Sequence, residues 1–298
     1  MTTMDLRGKT VVMTGATSGI GASAAESLAR AGGRILFTAR NKRKGQDTLA
    51  ALLRANPDAA HEMVLADLTT LAEMTRAGET LAAKAREVHL LINNAGAIFP
   101  ERELTADGLE ITFAVNHMAY FVITECLRPA LAAGARIVST ASMAHRSGRL
   151  DMADMALERV GAASYSMASY GRSKLCNILW TRELARRLEG TGITANCFHP
   201  GGVNTGFGDN LEGFGKAAFA LIKRFMLSPA QGADTLVWLA LSDKVEGHSG
   251  GYYAKRRLVT PSAAARDAEA AAKLWAYSES LTRAPEPAPR ARKRRAKA

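Results

Sequence analysis

Two side chains one helical turn apart carry the clearest chemical promise in this 298-residue sequence. In Tyr170-Gly171-Arg172-Ser173-Lys174 the phenol and the ammonium stand at i and i+4, on one face of a helix. No other tyrosine in the chain has a lysine four residues later. A free phenol titrates near pH 10, and bringing it to about 7 takes roughly 4 kcal/mol. One cation about 4 Å away supplies about that much at an effective dielectric of about 20. Such a pair is a sufficient general acid and base, although the spacing alone also suits an ordinary surface contact.

A second group of residues is built for phosphate. Thr14-Gly15-Ala16-Thr17-Ser18-Gly19-Ile20-Gly21 lies between a β-branched run and a helical pattern. Glycines there permit a tight turn and a close backbone approach to a pyrophosphate, and the helix start behind them offers free N–H groups and a positive dipole end. The spacing, G-x-x-x-G-x-G, departs from the usual G-x-G-x-x-G. Where a site for NAD places an acid after the second strand, this chain reads Thr38-Ala39-Arg40-Asn41-Lys42-Arg43-Lys44. Arg40 suits a 2′-phosphate because its planar fork donates two hydrogen bonds. Four cations at a helix start also oppose the dipole unless an anion is near. The residues favour NADP(H) over NAD(H).

The elements that must position these groups alternate. Strands are expected over Thr10–Thr14, Arg34–Thr38, Glu62–Ala66, Val88–Ile92, Ala135–Thr140 and Ile193–Phe198. Between them lie helical patterns over Ile20–Ala31, Lys44–Ala55, Leu71–Arg86, Leu109–Leu131 and Ser166–Leu188. Strands alternating with helices imply right-handed βαβ units. The expected fold is α/β, a Rossmann-like doubly wound parallel sheet of about seven strands with helices on both faces. One domain over 1–283, with a lid near 202–227 and a tail over 284–298, accounts for the chain.

Taken together, Thr14–Gly21, Asn93-Asn94-Ala95-Gly96, Ser142, Tyr170-x-x-x-Lys174 and Pro200-Gly201 resemble the short-chain dehydrogenase/reductase family in order and spacing over about residues 8 to 255. Ala144-His145, His199-Pro200-Gly201-Gly202-Val203-Asn204-Thr205 and Ser173-Lys174-Leu175-Cys176-Asn177 look like its retinol dehydrogenase-like branch. The resemblance implies a catalytic set of Asn116, Ser142, Tyr170 and Lys174. Tyr170 would be the general acid or base, and Lys174 would lower its pKa and hold the nicotinamide ribose. Ser142 would bind the substrate oxygen, and Asn116 would hold a water leading toward Lys174. The implied cofactor cleft comprises Gly15, Thr17, Ser18, Gly19, Ile20, Gly21, Arg40, Asp67, Leu68, Asn94, Ala95, Gly96, Tyr170, Lys174, Pro200, Gly201, Val203 and Thr205. Asp67 would meet the adenine and Thr205 the nicotinamide end. Ala141 and Gly202 depart from the residues frequent in the family without removing a catalytic atom. A homodimer through the helices holding Asn116 and Tyr170 is a further implication.

Twenty-eight positions separate Ser142 from Tyr170, longer than is common in the family and similar to the retinol-like branch. The insert holds Met143, Leu150, Met152, Met155, Leu157 and Met167, a soft apolar set. Gly206, Gly208, Gly213, Gly215, Phe214, Phe219, Phe225 and Met226 follow in a segment that reads as a lid. The expected substrate is an apolar aldehyde or ketone, or the matching alcohol.

Composition excludes other classes. The net charge of +11 owes nearly half to the tail, where six cations and three prolines face one acid. That tail reads as solvated and disordered, so no specific nucleic-acid partner is expected. No apolar run reaches the roughly 18 residues of a bilayer span, nor does the N-terminus leave room for a signal peptide. The mammalian retinol dehydrogenase-like members commonly carry an N-terminal membrane segment, and this chain shows none. Amphipathic Lys216–Leu227 allows at most a weak peripheral contact. Cys126, Cys176 and Cys197 are odd in number, without metal or disulfide spacing, and fit reduced thiols in a cytoplasm. No metal is expected. Three rivals stand beside the reductase. Gly247-His248-Ser249-Gly250-Gly251 satisfies G-x-S-x-G, although a nucleophile elbow needs a strand before it and a helix after it. A catalytically silent NADP-binding sensor or scaffold is the second, and a protochlorophyllide reductase, whose motifs are similar, is the third.

Overall fold

The structure is a computed structural model that describes residues 4–202 and 227–282. Its central strands form where β-branched and aliphatic runs are buried on both faces, as Val11, Val12 and Met13 are. In chain order the elements are β1 (Thr10–Met13), α1 (Gly19–Arg30), β2 (Arg34–Ala39), α2 (Lys42–Ala55), β3 (Glu62–Leu65), α3 (Leu71–Ala85) and β4 (Val88–Asn93). There follow α4 (Ile111–Phe113), α5 (Ala119–Leu127), β5 (Leu131–Thr140), α6 (Ala162–Arg187) and β6 (Thr194–Phe198). The last are α7 (Pro229–Leu241), β7 (Tyr252–Ala254), β8 (Arg257–Leu258) and α8 (Ala268–Thr282).

The strands form one sheet in the order β3-β2-β1-β4-β5-β6-β7-β8, parallel through β7. One core joins the sheet to α3, α5 and α6 through Met74, Leu81, Ile123 and Leu179. The other joins it to α1, α2 and α7 through Leu28, Leu52 and Leu236. This is the doubly wound sheet expected, with eight strands instead of about seven. The extra strand is β8, which returns antiparallel to β7. Lys255 and Arg256 make that turn at φ of 48° and 59°, a geometry usually signalled by glycine or asparagine. Neither residue announces it.

A second departure bears on the site. The helix expected over Leu109–Leu131 is broken into α4, a π-turn over Ala114–Met118, and α5. The Glu110 carboxylate opens it by accepting the Thr112 and Phe113 N–H groups at 2.7 and 2.9 Å, and Pro129 helps end it. The chain then enters β5 at Leu131, opposite Val88, four residues before the expected start. The π-turn contains Asn116, consistent with the tendency of such turns to fall at functional positions.

Glu110 also meets Arg172 at 2.9 Å, with both side chains buried. The same carboxylate accepts the Tyr165 hydroxyl. Arg172 in turn donates to the Asp154 and Met155 carbonyls at 3.2 and 2.8 Å. One buried guanidinium therefore fastens the Ser142–Tyr170 insert to the helix that carries Tyr170. Outside α5 and α6 lies α8. Trp275 stands edge-on to Phe121 at 5.1 Å and beneath the Arg187 guanidinium at 4.2 Å. Ser278 is bonded to His117 at 3.0 Å. A second copy pairing through α5 and α6, as the resemblance implies, would have to accommodate α8 on that face.

Removing one member of a buried ion pair leaves the other charge uncompensated, at a cost of about 3–5 kcal/mol. Arg172→Met is therefore expected to lower unfolding free energy in urea by that amount. A loss below about 1 kcal/mol, the range of an exposed pair, would show that Arg172 is not the fastening described.

Candidate active site

The sheet reverses its winding between β1 and β4, and ligands of such sheets bind beyond the carboxyl ends of the strands at that switch point. Here the strand ends are laced together. Thr14 Oγ1 accepts the Asn94 and Ala95 N–H groups, both at 3.1 Å. Asn94 Nδ2 donates to the Gly15 carbonyl at 2.9 Å, and Thr140 donates to Asn94 Oδ1 at 2.9 Å. The Asn94 side chain thus ties β1, β4 and β5 together and forms the floor of the cleft. In the sequence Thr14 stands out only as the first residue of the glycine-rich motif and Thr140 only as the end of a strand, since threonines at strand ends carry no spacing signal.

Close packing accounts for two of the turn glycines. A Cβ on Gly15 would lie 2.6 Å from the Ala95 Cα, and its φ is +68°. A Cβ on Gly21 would lie 1.9 Å from the Gly15 carbonyl oxygen. These contacts bring the start of α1 against the β1–β4 junction. Ser18 precedes α1 with no side-chain cap, and no acid occupies the first turn. The first-turn N–H groups at Gly19, Ile20 and Gly21 are thereby oriented for an anion. A dinucleotide pyrophosphate fits that position.

At the end of β2, Arg40 is exposed and without an acidic neighbour in the first turn of α2, which Asn41 caps through the Lys44 N–H at 3.0 Å. Asp67 is exposed and Leu68 buried after β3. Pro200 and Gly201 follow β6, with the Gly201 N–H donating to His199 Nδ1 at 3.2 Å. Val203 and Thr205, the expected lid near 202–227 beyond Gly202, and the tail over 284–298 lie outside the described residues.

The Ser142 hydroxyl lies near enough to the Tyr170 phenol to oppose the rise in its pKa. Ser142 begins the short helical turn Met143–Arg146, its Oγ accepting the Ala144 N–H at 3.2 Å. Lys174 is buried, with Nζ 5.5 Å from the Tyr170 ring centre and 3.3 Å from the Thr140 carbonyl, to which it donates. The protonation states differ from the expectation. Burial raises the Tyr170 phenol to about 12, opposed only by the Ser142 hydroxyl. Burial also lowers Lys174 to about 7. The lysine does not bring the phenol down in the free protein, because desolvation disfavours both charged forms. At neutral pH the cation is itself only partly present.

Asn116 is placed beside this pair, but its side-chain amide is committed. Oδ1 accepts the Ala97 N–H at 2.8 Å, while Nδ2 donates to the Ala97 carbonyl at 2.9 Å and to Ser173 Oγ at 3.0 Å. Both amide protons are used, so the side chain clamps Ala97 to α6 and has no donor left for a water. Ser173 passes the restraint on, donating to the Tyr170 carbonyl at 2.8 Å. Gly96 lies between these groups: a Cβ there would be 3.1 Å from Asn116 Oδ1 and 3.5 Å from Lys174 Nζ.

The methionine set divides. Met155 and Leu157 are buried and Leu150 and Met152 pack partly against the core, whereas Met143 and Met167 are 59% and 58% exposed. Met143 adjoins Ser142, and Met167 lies one helical turn before Tyr170. Ser249 stands apart: its Oγ accepts the Ala195 N–H at 3.0 Å, at the start of β6, and strand β7 follows it. That is not a nucleophile elbow.

Residues 15–252 match the family described as enoyl-(acyl carrier protein) reductase. The chain is 38% identical over 275 residues to a candidate daunorubicin C-13 ketoreductase (DnrU) of Streptomyces sp. (strain C5), covering 92% of each chain. It is 36% identical over 280 residues to retinol dehydrogenase 12 of Mus musculus, covering 93% of this chain and 87% of that one. A short-chain dehydrogenase of Burkholderia cenocepacia J2315, solved in complex with NADP, aligns at a TM-score of 0.66 and 25% identity over 89% of this chain and 100% of the other.

A lysine lowered from 10.5 to about 7 on folding binds its proton more tightly in the unfolded chain. Stability should therefore rise with pH between about 7 and 10.5. Lys174→Met removes that penalty, with an upper bound of about 4 kcal/mol at pH 7. Urea unfolding should show the variant more stable at pH 7, the gain shrinking as pH approaches 10.5. A gain independent of pH, or none, would show that Lys174 is not destabilised by burial.

Proposed function

The chain belongs to the short-chain dehydrogenase/reductase family, on its retinol dehydrogenase-like side, and from that premise we propose an NADP(H)-dependent oxidoreductase that reduces an apolar aldehyde or ketone, or oxidises the matching alcohol, with Tyr170 as its acid and base. The observation that carries this reading is the meeting of Ser142, Tyr170 and Lys174 at the carboxyl ends of the central strands, beside the glycine turn. A bound nicotinamide supplies the hydride in reduction and takes it in oxidation.

The chain's own residues handle the oxygen and the proton. A phenol at about 12 holds its proton throughout the neutral range, so Tyr170 can donate to a substrate oxygen as negative charge develops there. Ser142 accepts the Ala144 N–H through Oγ, and its one proton, directed at Tyr170 in the free protein, is the one a substrate oxygen would receive. Alcohol oxidation needs the phenolate, and Lys174 stabilises it only while charged, which burial opposes. The protonation states of the free protein thus support carbonyl reduction as the easier direction.

Arg40, with no acid at the end of β2, supports NADP(H), as does the NADP in the Burkholderia relative. Exposed Met143 and Met167, beside Ser142 and one turn before Tyr170 in the chain, supply apolar surface that supports an apolar substrate. The names of the relatives, one a retinol dehydrogenase and one a ketoreductase, agree with an apolar carbonyl compound. Among the described residues no helix is long and apolar enough to cross a membrane.

The test follows NADPH and NADH absorbance with retinal, medium-chain aldehydes, aromatic aldehydes and steroid ketones. Tyr170→Phe is expected to lose at least about 10²-fold in kcat, the contribution of a positioned acid. Arg40→Ala should raise the KM for NADPH about tenfold or more while leaving that for NADH nearly unchanged, as loss of a charge-assisted bond requires. Full turnover in Tyr170→Phe would refute the mechanism, and equal loss toward both cofactors in Arg40→Ala would refute the NADP assignment.

A further inference from the structure

What holds Ser142 in place is neither the glycine turn nor the tyrosine–lysine pair. Ser142 lies where the chain leaves β5, and its carbonyl receives two bonds from His145. The His145 N–H donates at 3.2 Å, and the ring Nδ1 lies 2.7 Å away. On the other side of the ring, the Ser262 N–H donates to Nε2 at 3.1 Å. A backbone N–H can only donate, so Nε2 carries the lone pair. His145 is 1% exposed, and burial disfavours its charged form. The single ring proton therefore sits on Nδ1 and points at the Ser142 carbonyl.

The anchor is firm. Ser262 accepts the Ala265 N–H through both its carbonyl and its Oγ, at 3.1 and 3.3 Å, and Ala265 is buried. Tyr252 packs edge-on against the His145 ring at 5.1 Å with its hydroxyl 3.5 Å from Nδ1, and the His199 ring lies 5.7 Å from the Tyr252 ring. The imidazole thus bridges the Ser142 turn to the segment after β8, across the strand that neighbours Gly201.

We propose that His145 is a positioning residue, whose imidazole, protonated at Nδ1 and anchored on Ser262, fixes the Ser142 peptide and with it the place of the Ser142 hydroxyl beside Tyr170. The inference rests on the oxidoreductase reading of that pair. Loss of the ring donor leaves the Ser142 carbonyl on the longer 3.2 Å bond from the His145 N–H alone and loosens that peptide, and a displacement of about 1 Å at a reacting group can cost about 10²-fold in rate.

Two substitutions divide the ring. In His145→Asn the amide nitrogen can stand where Nδ1 stood and still donate to Ser142. His145→Gln reaches the Nε2 position to accept from Ser262 but leaves the Ser142 carbonyl without its ring donor. The experiment measures kcat, KM and NADPH affinity for both variants beside native protein and Tyr170→Phe. It also records long-range proton–nitrogen spectra of native protein labelled with nitrogen-15 histidine, the His145 signals being those lost in His145→Asn. The expected result is a proton on Nδ1, kcat reduced about tenfold to 10²-fold in His145→Gln and less than about threefold in His145→Asn, and NADPH affinity within about twofold throughout. A proton on Nε2, a His145→Gln kcat equal to native, or equal losses in the two variants would overturn the proposal. Failure of the underlying reading has a different signature, because Tyr170→Phe would then turn over like native protein whatever the His145 variants do.

Discussion

Taking an ammonium and a phenol out of water within one helical turn imposes the constraint on which the rest of this protein depends. Lys174 on α6 is buried beside β5 and Gly96, and its Nζ donates to the Thr140 carbonyl. Burial drives its pKa down toward about 7 and that of Tyr170 up to about 12. Each group is held in its neutral form by the same desolvation, and neither rescues the other at a separation of 5.5 Å. A folded chain tolerates such a pair only where the surrounding structure is over-determined, as functional sites commonly are.

The over-determination is visible around the cleft. Asn94 joins three strand ends, Asn116 clamps Ala97 to Ser173, and Ser173 in turn holds the Tyr170 carbonyl. Further out, Glu110 and Arg172 pin the insert after Ser142 against α6, and α8 covers α5 and α6 with Trp275. This network uses neither the Tyr170 hydroxyl nor Ser142 Oγ. Its effect is to fix a few polar atoms at the switch point of the sheet, where a preorganised environment is worth more than the same groups in water.

How much of this could be read in advance follows from the range of the interactions. Alternating runs such as Thr10–Met13 and the helical patterns between them declare a parallel sheet because burial on both faces leaves a local signature. Tyr170 and Lys174 are legible because a helix makes i and i+4 neighbours. The electrostatics were not legible: spacing places a cation near a phenol but says nothing of the dielectric around it, and in the free protein burial raises the Tyr170 pKa. Asn116 was found by resemblance, yet the π-turn that aims it and the bonds that occupy its amide are tertiary facts. The β8 turn escaped notice because Lys255 and Arg256 adopt positive φ without glycine. Arg172 and His145 act across separations of 62 and 117 residues, to Glu110 and Ser262, and no local pattern carries such a contact.

The central claim is that desolvation sets the protonation of this pair, and that lowering the phenol's pKa needs positive charge beyond Lys174. Its most direct measurement is an ultraviolet difference titration of Tyr170, native protein against Tyr170→Phe, first alone and then saturated with NADP⁺. The free protein should give a phenol titrating near pH 12. With the oxidised cofactor's positive ring in the cleft, the transition should move down by at least about one unit, as a nearby cation requires. A free-protein phenol already titrating near neutrality would contradict the account, since Lys174 would then be sufficient on its own.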